Sequence, residues 1–518
     1  MSAKAVVYNL VNAFFNNAVA TPENSALWVD GCDYSYKEIS AAAFQSATWL
    51  ADRYTERAHV GILASRHLEP YIGVLAALWC GHLYVPLSPN QPISYLRSII
   101  KNAEIDCIII DDSCQKLIDS GLLEGMAVDV FPVTLPEDAD GAWPSFPPVP
   151  VLPNHPAYIM YTSGSTGTPK GIAATAANVR HFLQATQKRY QLRASDRLSQ
   201  FNDLHWDPSV FDLFSAWEVG ASVHVVPAGQ LLFPTRFIQE HELTVWYSIP
   251  SQITMLDRGR LLKPGVLPSL RLSLFVGEPL TATMAATWQE AAPNSLVENV
   301  YGPTETTVVC TGQPFSNDPD CITDERGYVA LGTPYDGMIL DVIDPVSSKF
   351  VHPGSPGEIV ITGPQMTPGY WHDPAKTAEK FVDLDHPDLG TRRWYLTGDQ
   401  GYRTPENRFH FLGRIDNQVQ VHGKRVELEE VESHLRQVTE LDQVAVVAWP
   451  IIDGSAQNLY GFVEGPGSEN DLKKSLRERL PLHMVPKRVF FLEDLPRNRN
   501  GKIDRKTLVR QLDDEQHG

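Results

Sequence analysis

A loop rich in glycine and hydroxyl residues occupies positions 161–171, with the sequence Tyr-Thr-Ser-Gly-Ser-Thr-Gly-Thr-Pro-Lys-Gly. Glycine reaches backbone conformations that other residues avoid, and successive N–H groups in such a turn form an anion-binding concavity. The hydroxyls and Lys170 add hydrogen-bond donors and positive charge, so a polyphosphate is the expected ligand. The loop is not a Walker A motif, because Pro169 stands where that motif has glycine. A solvated turn with an exposed Lys170 is the alternative.

Two acidic residues lie where strands are predicted to end. Glu305 follows Tyr-Gly-Pro-Thr at positions 301–304, and the Gly-Pro pair predicts a tight turn after a strand. Magnesium prefers one or two carboxylates plus phosphate oxygens, so Glu305 could hold Mg²⁺ beside a nucleotide; a plain surface acid is the alternative. Asp399 ends the segment Tyr-Leu-Thr-Gly-Asp, where a carboxylate could accept both hydroxyls of a ribose.

The composition is that of a large globular enzyme. The chain has 518 residues, 43% hydrophobic and 20% charged, so at least two domains are expected. A net charge of −19 argues against nucleic acid or an anionic membrane as a partner. We find no signal-peptide core and no apolar run long enough to span a membrane. Six cysteines without a C-x-x-C pair indicate free thiols and a cytoplasmic location.

Hydrophobic periodicity predicts an alternation of helices and strands in the first part of the chain. Helices are expected near residues 8–20, 36–52 and 69–80, and strands at 60–63, 83–87 and 107–110. Such alternation implies a largely parallel sheet. The proline-rich stretch 141–156 cannot be helical and is interpreted as a connector to the strand before the phosphate loop. After residue 414 the pattern changes to that of a small α+β unit, so we predict domains at 1–414 and 415–518.

Several segments together resemble the adenylate-forming superfamily, which includes adenylation domains of nonribosomal peptide synthetases, acyl-CoA synthetases and luciferases. The resemblance rests on YTSGSTGTPKG at 161–171, YGPTETT at 301–307, YLTGD at 395–399, GRIDNQV at 413–419 and NGKIDR at 500–505. These segments occur in the family's order and span nearly the whole chain. The resemblance implies a large α/β domain of stacked, mostly parallel sheets with a barrel-like subdomain, and a small mobile C-terminal α+β domain.

Site roles follow from this resemblance position by position. Lys502 would be the catalytic lysine, acting as a compact charge that stabilises the transferring phosphoryl group; an exposed lysine in a basic tail is the alternative. Asp416 would be the hinge, Glu305 would hold Mg²⁺, and ATP would be the cosubstrate. The phosphates would contact Thr162, Ser163, Gly164, Ser165, Thr166, Gly167, Lys170 and Thr304. Adenine and ribose would contact Gly277, Glu278, Asn299, Tyr301, Asp399 and Arg414.

The resemblance also implies two orientations of the small domain. In the first, Lys502 reaches the active site; in the second, the domain rotates about Asp416 and the segment 423–425 faces the site instead.

Asp207 points to a branch of this superfamily. It lies in Leu-His-Trp-Asp-Pro-Ser at 204–209, which is similar to the segment where amino-acid-activating members place an aspartate for the substrate ammonium. A buried carboxylate needs such a partner, although a helix N-cap is the alternative. Acyl-CoA and aryl-acid members lack this acid. The segment departs from the family pattern at Trp206 and Pro208.

The predicted substrate pocket is apolar. It offers one hydroxyl and no second charge besides Asp207 and Lys502, so an apolar side chain of small to medium size is expected. Proline, a β-amino acid and an anthranilate-type acid all remain open. By alignment to the neighbouring motifs, the pocket comprises Asp207, Pro208, Phe211, Tyr247, Leu274, Val276, Val300, Val308 and Val309.

Three functional hypotheses follow. In the first, the chain is a free-standing enzyme that activates an amino acid with ATP and loads a separate carrier protein, because sixteen residues after Lys502 leave no room for a carrier domain. In the second, it is an acyl- or aryl-CoA ligase of the same fold, which Asp207 disfavours. In the third, it is an inactive relative acting as a binding module.

Overall fold

The computed structural model describes residues 8–63, 65–133, 135–136, 144–164, 169–316, 318–323, 326–497 and 503–517. The early predictions are confirmed: the apolar pattern at 36–52 forms the helix Tyr36–Arg53, and that at 69–80 forms Glu69–Trp79. Ser35 starts the first of these with a capping box, in which its hydroxyl accepts from the Glu38 N–H while Glu38 binds the Ser35 N–H. All six cysteines are free.

A six-stranded sheet carries the phosphate loop. Its strands are parallel except for the last pair, Pro156–Thr162 and Lys170–Thr175, which run antiparallel on either side of the loop. The strand before the loop is an apolar run with a buried centre, so the loop starts from a fixed position. In spatial order the strands are Asp129–Pro132, Cys107–Ile110, His59–Leu63, Leu83–Leu87, Pro156–Thr162 and Lys170–Thr175.

A nine-stranded sheet supplies most of the remaining site residues. Its central strands are parallel, and their carboxyl ends lead into the segments at 201–207, 249–251, 276–278 and 302–305. Ligands bind at this end of α/β sheets. In spatial order the strands are Thr333–Pro334, Thr311–Pro314, Leu296–Tyr301, Leu272–Phe275, Val245–Ser248, Arg197–Gln200, Ser222–Val225, Ser25–Val29 and Cys32–Ser35.

An antiparallel five-stranded sheet forms the barrel-like subdomain that the sequence resemblance implied. Its longest strand, Gly390–Arg403, carries Asp399, and its last strand ends at Arg414. The strands are Ile339–Ile343, Gly357–Thr362, Gly390–Arg403, Phe381–His386 and Phe409–Arg414. A separate antiparallel strand pair, Ile322–Thr323 and Tyr328–Val329, contacts the last strand of this sheet, where the Thr323 hydroxyl lies 3.1 Å from Nδ1 of His410.

The C-terminal unit is a small α+β structure with its own apolar core. The connector 415–417 separates its first strand from the five-stranded sheet, so the predicted division at 414 and 415 falls where one sheet ends and another begins. The mobility of this unit stays a prediction. One sheet contains Lys424–Glu427, Gln418–Val421, Ser455–Ala456 and Ile451–Ile452, and the other contains Val444–Ala448, Leu459–Glu464 and Arg488–Leu492.

Helices pack against strands of the sheets, and the predicted fold class is confirmed. Within the described ranges, no helix has the length and apolar character needed to cross a membrane. In the large part of the chain the α-helices are Asn12–Ala20, Tyr36–Arg53, Glu69–Trp79, Ile93–Asn102, Gln115–Asp119, Ala176–Tyr190, Pro208–Val210, Ala216–Glu218, Thr235–Glu240, Pro250–Arg258, Ala282–Ala291 and Pro374–Lys380. Those of the C-terminal unit are Leu428–Thr439, Glu469–Arg477 and Arg505–His517.

Gly332 joins the five-stranded sheet to the nine-stranded sheet and gives a test of this packing. It has φ +83°, exchanges backbone hydrogen bonds with Phe409, and a Cβ there would overlap the Gly312 carbonyl. We expect Gly332→Ala to destabilise the protein by about 2–5 kcal/mol, from left-handed strain plus overpacking. The control is Gly265→Ala, where φ is +73° with no described atom within 4 Å, and strain alone costs about 1–2 kcal/mol. Equal shifts of the thermal unfolding midpoint would contradict the packing argument.

Candidate active site

A cavity of about 510 Å³ lies where the large sheets, the five-stranded sheet and the C-terminal unit meet. We distinguish three sections by their residues. The apolar section comprises Asp207, Pro208, Val276, Val300 and Val308. The polar section comprises Gly277, Glu278, Asn299, Tyr301, Asp399 and Arg414. The interdomain section comprises Gln91, Tyr95, His205, Trp206, Lys424 and His483.

Asp207 is a carboxylate without a partner at one of its oxygens. It stands at the N-cap position of a helix that begins with Pro208, yet its side chain makes no capping hydrogen bond, so the N-cap alternative is wrong. Its Oδ2 is buried and has no hydrogen-bond partner in the described part of the chain. Burial raises the pKa of Asp207 to about 7, with the Thr304 hydroxyl opposing this and the Glu305 charge adding to it. The site is therefore suited to a cation that brings its own hydrogen-bond donors.

The structure divides the predicted substrate pocket into two layers. Five of the nine residues line the cavity as its apolar section. The other four, Phe211, Tyr247, Leu274 and Val309, are buried but do not line it. Phe211 and Tyr247 pack edge to face with ring centroids 5.2 Å apart, and the buried Tyr247 hydroxyl has no partner among the described residues. These two rings leave the lined volume smaller than the nine-residue prediction implied.

All six residues predicted to contact adenine and ribose lie together in the polar section. Asp399 is held on both oxygens, since the Tyr301 hydroxyl donates to Oδ2 at 2.5 Å and Arg414 donates to Oδ1 at 2.7 Å. Arg414 also binds the carboxylate of Asp416, the predicted hinge, at 2.7 and 2.9 Å. Glu278 accepts from the Ser455 hydroxyl of the C-terminal unit at 2.8 Å.

The described part of the phosphate loop contacts the C-terminal unit. The Ser163 hydroxyl donates to the Arg425 carbonyl at 3.0 Å, and the Gly164 N–H donates to Glu430 at 2.7 Å. Lys170, predicted to bind phosphate, pairs with Glu427 at 2.9 Å and is largely buried, so it is not the exposed lysine of the alternative. Two carboxylates thus occupy donors predicted to hold phosphates. Thr162 and Thr304 line the same cavity, while Ser165, Thr166 and Gly167 lie outside the described residues.

Glu305 is a fully buried acid, which rules out the plain surface acid of the alternative. Its carboxylate accepts from the Tyr370 hydroxyl at 2.7 Å and from Arg425 at 3.1 Å. Burial alone would raise its pKa, but Arg425 and Lys170 outweigh burial and lower the pKa to about 2. The ionised carboxylate suits a cation.

Magnesium on Glu305 stays a prediction. Over the described residues, no group of three His, Cys, Asp or Glu side chains could hold a metal ion. A metal at Glu305 would therefore depend on one carboxylate together with ligand phosphates, a set that Mg²⁺ accepts. Arg425 holds that carboxylate in this arrangement.

The C-terminal unit presents residues 423–425 to the cavity, which is the second of the two predicted orientations. Lys502 lies outside the described residues, and among the described residues that line the cavity the last in sequence is Met484. The described residues on either side of this gap, Arg497 and Ile503, form a backbone bridge, and Arg497 donates to Gln443 at 3.1 Å.

Sequence reasoning missed the roles of Arg425, Glu427 and Glu430. Each contacts a residue predicted to bind phosphate or metal, although it lies more than a hundred residues away along the chain. The signal available was the run Lys-Arg-Val-Glu-Leu-Glu-Glu at 424–430, whose basic residues are followed by acidic ones just after the predicted hinge.

The Arg425–Glu305 pair gives a test of this orientation. Arg425→Met would leave Glu305 buried without its cation, which costs about 3–5 kcal/mol in this arrangement. We expect the C-terminal unit to separate from the large part, and limited proteolysis in the connector 415–417 to become at least tenfold faster. Arg477→Met, at an exposed position of the same unit, is the control. Equal cleavage of both variants and wild type would show that the pair does not hold the unit in place.

Comparison with known proteins places this chain in a family. A sequence profile of the AMP-binding enzymes matches residues 14–371, and that of the AMP-binding enzyme C-terminal domain matches residues 430–502. The chain belongs to the AMP-binding, adenylate-forming enzyme family, and the ligase class follows from this membership. The family resemblance found in the sequence is thereby confirmed.

Individual relatives are similar over most of the chain. L-proline–[L-prolyl-carrier protein] ligase of Pseudomonas fluorescens is 32% identical over 85% of this chain and 86% of its own length. Tyrocidine synthase 3 of Brevibacillus parabrevis is 30% identical over 96% of this chain, which spans 7% of that protein. The crystal structure of the Vibrio cholerae adenylation domain AlmE with glycyl-adenosine-5′-phosphate matches at 30% identity, with a TM-score of 0.86 and 99% coverage of both chains.

Proposed function

We propose that this protein activates an amino acid with ATP, forming an aminoacyl adenylate and pyrophosphate, and then transfers the aminoacyl group to the phosphopantetheine thiol of a separate carrier protein. The observation that carries the proposal is the buried oxygen of Asp207, unpartnered among the described residues, in the apolar section. A substrate ammonium would supply the missing charge and donors, whereas an acid without an amine would leave this carboxylate unpaired. Two relatives support the same class, one named as an L-proline–[L-prolyl-carrier protein] ligase and one solved in complex with glycyl-adenosine-5′-phosphate.

The apolar section favours an amino acid with a small apolar side chain. Val276, Val300 and Val308 line it, and the packed rings of Phe211 and Tyr247 lie behind the lining. A charged side chain would find no counter-ion among the described residues of this section other than Asp207, which the ammonium takes. Proline, glycine, alanine and small β-amino acids fit this description, and a flat anthranilate-type ring would lie against the valines.

In the first half-reaction the substrate carboxylate attacks the α-phosphorus of ATP and pyrophosphate leaves. Asp207 would orient the amine, Asp399 would hold the ribose, and the phosphate loop with Lys170 and Thr304 would bind the phosphates. Lys502 would stabilise the charge that builds on the transferring group. Mg²⁺ at Glu305 would neutralise phosphate charge.

In the second half-reaction the small unit takes the orientation described above. Arg425 then pairs with Glu305, while Glu427 and Glu430 take up Lys170 and the Gly164 N–H. Glu427 and Glu430 compete with a bound triphosphate for the same donors, so pyrophosphate must leave before the small unit takes this orientation. The interdomain section would admit the carrier's pantetheine arm, because it is lined by both parts of the chain. ATP, Mg²⁺ and the carrier are thus the proposed cosubstrate, cofactor and partner.

Amino-acid-dependent ATP–pyrophosphate exchange tests the activation step. The panel contains proline, glycine, alanine, β-amino acids, anthranilate and amine-free analogues. We expect exchange with one of the small amino acids and none with its amine-free analogue. Asp207→Asn should lower kcat/KM by about 10²–10⁴-fold, since an unpaired buried ammonium costs about 3–5 kcal/mol. Lys502→Ala should abolish exchange, because it removes the charge that would stabilise the transferring group.

Exchange with amine-free acids that is indifferent to Asp207 would instead identify an acyl- or aryl-acid ligase. Absence of exchange over the whole panel would leave the binding-module hypothesis.

The pKa of Asp207 gives a separate test in the pH dependence. Below about pH 7 this carboxyl is protonated in the free enzyme and cannot pair with the ammonium. We expect kcat/KM for the amino acid to fall towards tenfold per pH unit below pH 7, while kcat changes less, because a bound ammonium keeps Asp207 ionised. The measurement is exchange at saturating ATP between about pH 5.5 and 8.5. In Asp207→Asn the inflection near pH 7 should vanish; its persistence would assign it to another group.

A further inference from the structure

Lys424 presents an uncompensated charge to the interdomain section of the cavity. Its Nζ lies 5.3 Å from the centre of the Trp206 ring, in a cation–π contact between the two parts of the chain. Within the described ranges no carboxylate lies within 4.0 Å of this ammonium. Burial lowers the pKa of the Lys424 ammonium and the Asp203 charge opposes this, but Asp203 is already paired with Arg66 at 2.7 Å. The section therefore carries a net positive charge.

The turn that holds Lys424 is fixed closely against the large part of the chain. Gly423 has φ +74°, and a Cβ at this position would lie 2.7 Å from Cγ2 of Ile249. The next residue, Arg425, is held by Glu305. The residues on both sides of Lys424 thus make tight interdomain contacts. These contacts hold its ammonium in the interdomain section and prevent it from moving freely in solvent.

The ionisable groups around Lys424 confirm the sign of the local field. Burial lowers the pKa of His205 to about 4, and Lys424 and Arg66 add to this while Asp203 opposes it. Burial lowers the pKa of His483 well below its ordinary value, and Lys424, His205 and His422 add to it. Both imidazoles that line the section are therefore neutral near pH 7. Burial disfavours charge of either sign, whereas the Lys424 charge acting on both imidazoles has the sign that stabilises an anion.

We propose that Lys424 is a catalytic residue of the thiolation step, where its ammonium stabilises the thiolate of the incoming pantetheine arm. This inference rests on the proposed function and adds a role that the phosphate loop, Asp207 and Lys502 do not fill. The thiolate is the attacking nucleophile, and an ordinary thiol with a pKa near about 8.5 is mostly protonated at pH 7. A positive charge within about 4–6 Å lowers such a pKa by about 1–3 units.

The step balances without a further reactant. The thiol releases its proton to water, and the resulting thiolate attacks the carbonyl carbon of the aminoacyl adenylate. A carbon–sulfur bond forms, the bond from carbon to the phosphate oxygen breaks, and AMP leaves with the electron pair. Lys424 remains protonated throughout.

The test uses the full chain, the amino acid identified by exchange, and free pantetheine as acceptor, so that carrier docking plays no part. We expect Lys424→Met to lower kcat for thioester formation at pH 7 by about ten- to thirtyfold, and to move the inflection of its pH profile upward towards about 8.5. Lys424→Arg keeps the charge and should stay within about threefold of wild type. Lys349→Met, at an exposed turn of the five-stranded sheet, is the control for charge removal.

Thioester formation is normalised to ATP–pyrophosphate exchange on the same preparations, which separates this inference from the proposed function. Exchange together with a pH profile that Lys424→Met does not move would overturn the role of Lys424 alone. A change in KM confined to phosphopantetheine, with pantetheine unaffected, would assign Lys424 to the phosphate and likewise overturn it. Wild-type protein without exchange on any acid would overturn the proposed function and this inference together.

Discussion

The ion pair between Arg425 and Glu305 is the contact on which this arrangement of the two parts depends. Glu305 is wholly buried at the end of a central strand, and Arg425 is the counter-ion that reaches it from the first hairpin of the C-terminal unit. An unpaired buried carboxylate is costly, so separation of the two parts is unfavourable unless water or another cation takes the place of Arg425. The same acid is the predicted magnesium ligand. Because Glu305 pairs with one cation at a time, either Arg425 or the metal, the position of the C-terminal unit is coupled to what the site contains.

Asp207 and Lys424 both line the cavity and have no ion-pair partner among the described residues. Arg425, Lys170 and Arg414 are matched by Glu305, Glu427 and Asp399. Asp207 is left without a partner in the described part of the apolar section, and Lys424 is left over an aromatic ring in the interdomain section. In the proposed reaction the first faces an ammonium and the second a thiolate. The unmatched charges lie where substrates would bring the opposite ones.

Much of the fold and most of the site membership could be predicted from the sequence, because motif residues sit at strand ends and apolar periodicity marks the strands. All six residues assigned to adenine and ribose gather in one section of the cavity. The depth of the substrate pocket could not be predicted, since it depends on how the rings of Phe211 and Tyr247 pack. The interdomain pairs of Glu427 and Glu430 could not be predicted either, because they depend on one orientation of a unit whose sequence allows two.

The chain of contacts Tyr301–Asp399–Arg414–Asp416 has a consequence beyond the pocket it lines. Both carboxylate oxygens of Asp399 accept hydrogen bonds from protein donors, and Arg414, one of these donors, also binds Asp416, the predicted hinge. A ribose that donated hydrogen bonds to the Asp399 oxygens would displace Tyr301 or Arg414 from them and so change the contact between Arg414 and Asp416. Binding and release of the nucleotide would then change the contacts of Asp416, the predicted hinge. The small unit would thus respond to whether a nucleotide is bound as well as to the phosphates.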